Sequence, residues 1–258
     1  MELQGKRIIV TGSARGMGAA TVRAYVKAGA SVIGMDVSDE AGAAVSAEAS
    51  AQGPGTAGYV HVDIADKASV EAAFADAVAQ LGGLDVLAHP AAIQRSASAS
   101  DVSVEDWDLM FAVNVRGTML TNQAAHGYIK EAGGGSIINF GSISGLRPEP
   151  SASAYSSSKG AVHSWTRTAA GTWGEDNIRV NAILPAMATP MYKEANARYN
   201  EEELTATFWR NRQPIAMGQE YGDPDEDLGP VMVFFASEAS RFITGQLIPV
   251  DGGQANMR

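Results

Sequence analysis

Apolar and polar positions along the chain fall into two alternating rhythms. Short runs rich in Val, Ile and Leu recur at residues 7–11, 31–35, 58–62, 84–88, 137–141, 178–184 and 246–250. Continuous apolar runs of this length read as strands. Between them lie longer, helix-like stretches at 16–28, 41–52, 67–81, 103–130, 153–173 and 225–237. Glycine and proline mark several of the joints, as in Gln52-Gly53-Pro54-Gly55, Gly82-Gly83 and Gly133 to Gly135. Strand and helix alternate without a break over the 258 residues, with no internal repeat and no linker. That order predicts one α/β domain over 1–258, a three-layer sandwich with about seven parallel strands and helices on both faces.

Two of the joints carry chemistry. The first reads Thr11-Gly12-Ser13-Ala14-Arg15-Gly16-Met17-Gly18. Its glycines suit a tight turn, a close backbone approach to a pyrophosphate, and close packing of a helix on a strand. The helix that follows offers free N–H groups and a partial positive charge to the phosphates. Asp36 ends the second strand, where an acid accepts ribose hydroxyls and repels a 2′-phosphate. This favours NAD over NADP, and Arg15 in the turn argues weakly the other way. The second joint follows the fifth strand. Ser142 stands at its carboxyl end, where open α/β sheets place their ligands. Tyr155 and Lys159, four apart on a helix, share one face. An ammonium close to a phenol is expected to lower its pKa from about 10, making it a general acid/base for an alcohol or carbonyl oxygen.

With Ser142 thirteen residues before Tyr155 and the glycine turn at the start, the chain resembles the short-chain dehydrogenase/reductase family in its single-domain form. The resemblance runs from Lys6 to about Gly253, where Asp251-Gly252-Gly253 matches the family's last motif. It implies a Rossmann-type fold and a catalytic set of Ser142, Tyr155, Lys159 and Asn114. The last lies in Phe111-Ala112-Val113-Asn114-Val115-Arg116-Gly117, and its backbone carbonyl is implied to hold a water that links to Lys159. For the cofactor it implies Gly12, Ser13, Arg15, Gly16, Met17, Gly18 and Asp36, an adenine frame of Asp63 and Ile64, and Ala91. It adds Tyr155, Lys159 and the stretch from Pro185 to Thr189, whose backbone groups and Thr189 hydroxyl would bind the nicotinamide carboxamide. Asp63 and Thr189 serve equally as helix N-terminal groups. The segment around 187–222 corresponds to a flap over the substrate, although its aromatics, Tyr199 among them, also suit a core or a subunit contact. A homotetramer built on the long helices and the last strand is implied too. The clearest departure from the family is His89-Pro90-Ala91-Ala92 in place of Asn-Asn-Ala-Gly, and Ala186 stands where the family has Gly. Pro90 has no N–H and Ala92 disfavours positive φ, so this backbone is expected to be reshaped. His89 is read as structural.

Charge and composition narrow the partners. With 19 basic and 29 acidic residues the net charge is −10, which disfavours nucleic acid and anionic membranes. There is no cysteine, hence no disulfide and no thiolate metal site. No apolar run reaches the length of a membrane span, and no signal peptide is read at the start. A cytoplasmic protein without a metal is expected. The substrate wall is drawn from Ser144, Leu146, His89, Gln94, Met187, Met191, Tyr192 and Trp209, a mixed set without a cation cluster. It suits a neutral, fairly apolar secondary alcohol or ketone, cyclic ones included. The function expected is NAD-dependent interconversion of the two. The alternatives are an NAD-binding sensor or scaffold without chemistry, and dehydration or epimerisation at the same site.

Overall fold

The apolar runs form strands β1 (Arg7–Thr11), β2 (Ser31–Asp36), β3 (Thr56–His61), β4 (Val86–His89), β5 (Gly135–Phe140), β6 (Ile178–Pro185) and β7 (Leu247–Val250). A computed structural model describes residues 2–190, 192, 194, 197 and 200–255, without the side chains of 203, 207, 209 and 210. The strands make one parallel sheet in the order β3-β2-β1-β4-β5-β6-β7. The helices are α1 (Gly16–Lys27), α2 (Asp39–Gln52), α3 (Lys67–Leu81), α4 (Val104–Met110), α5 (Gly117–Glu131), α6 (Ser153–Trp173), α7 (Glu201–Thr207) and α8 (Gly229–Ala236). Among the described residues no helix is long and apolar enough to cross a membrane.

The twofold rhythm of the strands splits the core into two layers. Ile8, Val10, Val32, Val86 and Ile138 face one side, where Tyr25 and Val26 of α1 and Met232 and Phe235 of α8 cover them. Ile9, Ile33, Leu87 and Ile137 face the other, under Phe74 of α3 and Leu120 and Ile129 of α5. Successive residues of a strand point to opposite faces, so a strand between two helical layers must be apolar on both. The chain builds outward from β1 through β2 to β3, then returns to place β4 on the other side of β1. The carboxyl ends of β1 and β4 thus border the crevice at which such sheets bind ligands.

Two predicted helices are interrupted. The stretch 103–130 is α4, a π-helical turn at Phe111–Arg116, and α5. The wide turn coincides with Asn114, whose amide is anchored to both backbone groups of Ile93 and to Ser158. The stretch 225–237 begins as a π-helical turn, Pro224–Leu228, capped by the Asp223 carboxylate, before α8 starts. Strand β3 starts at Thr56, two residues before the expected position, because β2 offers pairing partners from Ser31 onward.

Arg7 and Asp85 tie the first strand to the fourth. Asp85 accepts bonds from the Arg7 backbone N–H at 2.8 Å, Nε at 2.9 Å and Nη2 at 2.7 Å. Burial alone would raise the Asp85 pKa, yet the bonds from Arg7 hold it below the usual value. Asp85→Ala is expected to cost about 1.5–3 kcal/mol at neutral pH, read from denaturant unfolding. The wild-type pair stabilises fully above the ordinary Asp value of about 4. It weakens as pH falls through the depressed folded value, so the gap between the two proteins should close in acid. Equal stability at neutral pH would remove this pair as a tie.

Candidate active site

The turn after β1 is shaped by what a side chain would strike. Gly12 and Gly16 have φ of 62° and 56°, in the left-handed region. A Cβ on Gly18 would lie 1.9 Å from the Gly12 carbonyl oxygen, and one on Gly12 would lie 2.7 Å from the Ala91 Cα. The start of α1 therefore rests on the turn's backbone, and the loop after β4 rests on Gly12. A Cβ on Gly16 would meet the Thr189 side chain at 3.7 Å, so the segment after β6 closes the other flank. Arg15 precedes α1 without offering a side-chain cap, which leaves the first-turn N–H groups open to an anion. Ser13 is buried with its hydroxyl unpartnered. The Asp36 carboxylate is fixed by the N–H groups of Ala14 at 3.1 Å and Ser38 at 3.0 Å, with lone pairs to spare. These groups fit a dinucleotide: an open helix end for the pyrophosphate and an acceptor for a ribose.

Around β5 lie the groups with proton chemistry. Ser142 follows the strand, and its Oγ accepts the Ser144 N–H at 3.1 Å. One lone pair is thereby occupied and the hydroxyl proton is free to donate. Lys159 is 3% exposed, and its Nζ donates to the Phe140 carbonyl at 2.7 Å. Burial lowers its pKa to about 8. The ammonium lies 5.6 Å from the centre of the Tyr155 ring. Burial pushes the Tyr155 phenol above its ordinary value, and the Ser142 hydroxyl beside it pulls the other way. The lowering expected from Lys159 does not prevail, and burial sets the direction.

Asn114, 1% exposed, works as a strut. Its Oδ1 accepts the Ile93 N–H at 2.8 Å, and its Nδ2 donates to the Ile93 carbonyl at 2.9 Å and Ser158 Oγ at 3.1 Å. It joins the loop after β4 to α6. Its backbone carbonyl accepts the Thr118 hydroxyl at 2.7 Å, so one lone pair is already engaged.

His89 is buried. Its Nδ1 lies 2.7 Å from Thr11 Oγ1 and 3.2 Å from Thr121 Oγ1. Burial first, and the charge of Lys159 second, push its pKa down to about 3. The departure at Pro90 and Ala92 causes no backbone strain, since Asn177 and Gln219 are the positive-φ non-glycine residues among those described. Asp63 Oδ1 accepts the Ala65 N–H at 2.9 Å, while Asp66 is the N-cap of α3. Ile64 is buried at 6%. Thr189 Oγ1 accepts the Tyr192 N–H at 3.3 Å.

The wall residues divide. Ser144 lies beside Ser142, and Leu146 and Gln94 are exposed. Met187 belongs to the core instead, 8% exposed, although its backbone pairs with Gly222. Tyr192 packs edge-on against Tyr221, with centroids 4.6 Å apart. The expectations for Met191, Tyr199 and the Trp209 side chain fall outside the described residues. One residue escaped the sequence reading. His163 continues the stripe of Tyr155 and Lys159 by another four residues and accepts the Ser142 N–H. The i, i+4, i+8 spacing was the available signal.

A family profile described as enoyl-(acyl carrier protein) reductase matches residues 12–255. The chain belongs to the short-chain dehydrogenase/reductase family. A 3-alpha-(or 20-beta)-hydroxysteroid dehydrogenase from Mycobacterium bovis is 36% identical over 252 residues, 97% of this chain and 90% of the relative. A D-threitol dehydrogenase from Mycolicibacterium smegmatis is 35% identical over 257 residues, 97% of this chain and 93% of the relative. Among solved structures, a short-chain type dehydrogenase/reductase from Mycobacterium ulcerans superposes with a TM-score of 0.91 at 28% identity, covering 98% of this chain and 91% of that one. The family is one of NAD(P)-dependent oxidoreductases, and the seven-strand parallel sheet is its fold.

Two of the buried histidines near Lys159 supply a pH test. His163 is held down to about 4, by burial first and then by Lys159 and Arg167, and His89 to about 3. Both rings should stay neutral from about pH 8 to pH 5 by NMR, below the free value of about 6.5. The unfolded chain takes up protons there that the folded chain refuses. These two sites should therefore erode stability as pH drops below about 6.5, down to the folded values. A midpoint near the free value for either ring would contradict the burial.

Proposed function

We propose that this protein is an NAD-dependent dehydrogenase of secondary alcohols and reductase of the matching ketones, with Tyr155 as general acid/base. The observation that carries the reading is the meeting of Ser142, Tyr155 and Lys159 at the carboxyl end of β5. The glycine turn lies two strands away in the same crevice. Bound NAD supplies the hydride acceptor, and NADH the donor. Ser142, with a lone pair taken by the Ser144 N–H, donates a hydrogen bond to the substrate oxygen and stabilises charge building there. Tyr155 exchanges a proton with the same oxygen. Burial holds the Tyr155 phenol above its ordinary value, so it stands protonated, ready to donate to a ketone oxygen at neutral pH. Lys159 keeps a positive charge beside the Tyr155 ring within the crevice. That charge is present below about pH 8 and fades above it. Lys159 also holds the nicotinamide ribose, and Asn114 braces α6 against the loop after β4 and completes a proton path to water.

Cofactor choice follows from Asp36, already fixed by two N–H groups, whose charge accepts ribose hydroxyls and opposes a 2′-phosphate. Gly12, Ser13, Arg15, Gly16, Met17 and Gly18 cradle the phosphates; Asp63, Ile64 and Ala91 line the adenosine; Pro185 and Thr189 hold the carboxamide. Residues 187–222 correspond to a flap, with Ser144 and Tyr192 toward a neutral, fairly apolar substrate. The relatives' names, a hydroxysteroid and a threitol dehydrogenase, support the alcohol class and leave its size open. The protein is a cytoplasmic homotetramer in this reading, one domain per chain. An apolar groove of about 820 Å³ between α4, α5 and α6, lined by Leu109, Phe111, Met119 and Trp165, supports one contact. The fully exposed Phe242 before β7 supports another.

Purified protein should reduce or oxidise members of a panel of secondary alcohols and ketones, followed by NADH absorbance, with a preference for NAD over NADP. Tyr155→Phe should lose about a hundredfold or more in kcat while binding NADH as before, the scale of a lost general acid. Normal turnover by this variant would remove Tyr155 from the role. Tight NADH binding with no turnover across the panel would favour the sensor.

A further inference from the structure

His163 stands one helical turn beyond Lys159, and two glycines make the slot that its ring occupies. A Cβ on Gly141 would lie 2.5 Å from His163 Nε2 and 2.8 Å from Cδ2, and one on Gly145 would lie 2.7 Å from Cε1. Neither glycine has a positive φ, so what they provide is room. They bracket Ser142 in the sequence. Ser142 is then fixed by three bonds. Its Oγ accepts the Ser144 N–H at 3.1 Å, its carbonyl accepts the Gly145 N–H at 3.0 Å, and its own N–H donates to His163 Nε2 at 3.3 Å. The first two lie within the turn and move with it. The third anchors the turn to α6, the helix that carries Tyr155 and Lys159.

The ring is 2% exposed, and its Nδ1 has no partner. A buried unpaired nitrogen is unfavourable, and a leucine would fill much of the slot without one. What an aliphatic side chain lacks is the acceptor. We propose that His163 is a positioning residue whose neutral ring, accepting the Ser142 N–H at Nε2, aims the Ser142 hydroxyl at the reacting oxygen. The role rests on the dehydrogenase reading. An accepting Nε2 requires the proton on Nδ1. The groups around the ring keep it neutral: Lys159 and Arg167 on its own helix are the charges that act on it. Gly141, Gly145 and Leu184, packed near it from β5, the Ser142 turn and β6, bring no charge.

Two arms test this. Long-range 1H–15N spectra of the folded protein should show His163 protonated on Nδ1 with Nε2 bare. The opposite tautomer overturns the proposal whatever the activity. The second arm compares His163→Leu with His163→Gln, whose side-chain oxygen can reach the position of Nε2 and accept. On an alcohol that the panel identifies, His163→Leu should lose about tenfold to a hundredfold in kcat, the scale of a misplaced catalytic group. KM and NADH affinity should stay within about twofold, as for an interaction made in the transition state. His163→Gln should recover to within about threefold of wild type. Full kcat in His163→Leu, or a folded His163→Gln as slow as the leucine variant, overturns it. If the wild type acts on nothing in the panel, the dehydrogenase reading fails separately. Hydrogen exchange at the Ser142 amide still decides the positioning: slow in wild type and the glutamine variant, fast in the leucine variant. Equal exchange in all three overturns it.

Discussion

A buried ammonium is the constraint around which the crevice is arranged. Lys159 lies almost wholly inside the protein, bonded to the Phe140 carbonyl at the last residue of β5. That bond fixes α6 against the sheet and sets Tyr155, one turn earlier, above the strand end. It also satisfies a carbonyl where the ladder stops, and a buried charge persists only where such partners exist. Two neutral histidines and the face of a phenol complete its surroundings. The charge of Lys159 adds to burial in holding both histidines neutral. The lysine therefore acts on the electrostatics of the whole crevice, even though its hydrogen bond goes to the backbone.

The sheet brings the remaining groups to this point. Because the strand order reverses between β1 and β4, loops from both can enter one crevice. Contacts across it are close. The loop carrying Ala91 approaches the Gly12 backbone, and Thr189 faces Gly16. Glycines are needed there for contact as much as for conformation. Asn114 joins the same loop to α6, so the loop beside the glycine turn and the helix of Tyr155 and Lys159 share a brace.

Much of this could be read from the sequence, where information is local. The strand and helix rhythm, the glycine turn and the Tyr155–Lys159 pair depend on spacings of a few residues, and their elements appear with edges shifted by a residue or two. Contacts distant in sequence were not legible. The π-helical turn at Asn114 coincides with bonds to Ile93 and Ser158, 21 and 44 residues away. His163 depends on a contact with Ser142 across 21 residues. The phenol's pKa is raised by burial, which helical spacing does not specify. Met187, expected in the substrate wall, packs its side chain in the core, a contact that its position after β6 does not reveal.

The central claim is that Tyr155 and Ser142 address one reacting oxygen above a nicotinamide lodged beside Lys159. A crystal structure with NADH and a substrate or ketone inhibitor tests it most directly. The account predicts the Tyr155 phenol oxygen and the Ser142 hydroxyl both within about 3.2 Å of the ligand's carbonyl oxygen, over the nicotinamide ring. A phenol oxygen turned away from the ring, with the ligand held by other groups, would contradict it.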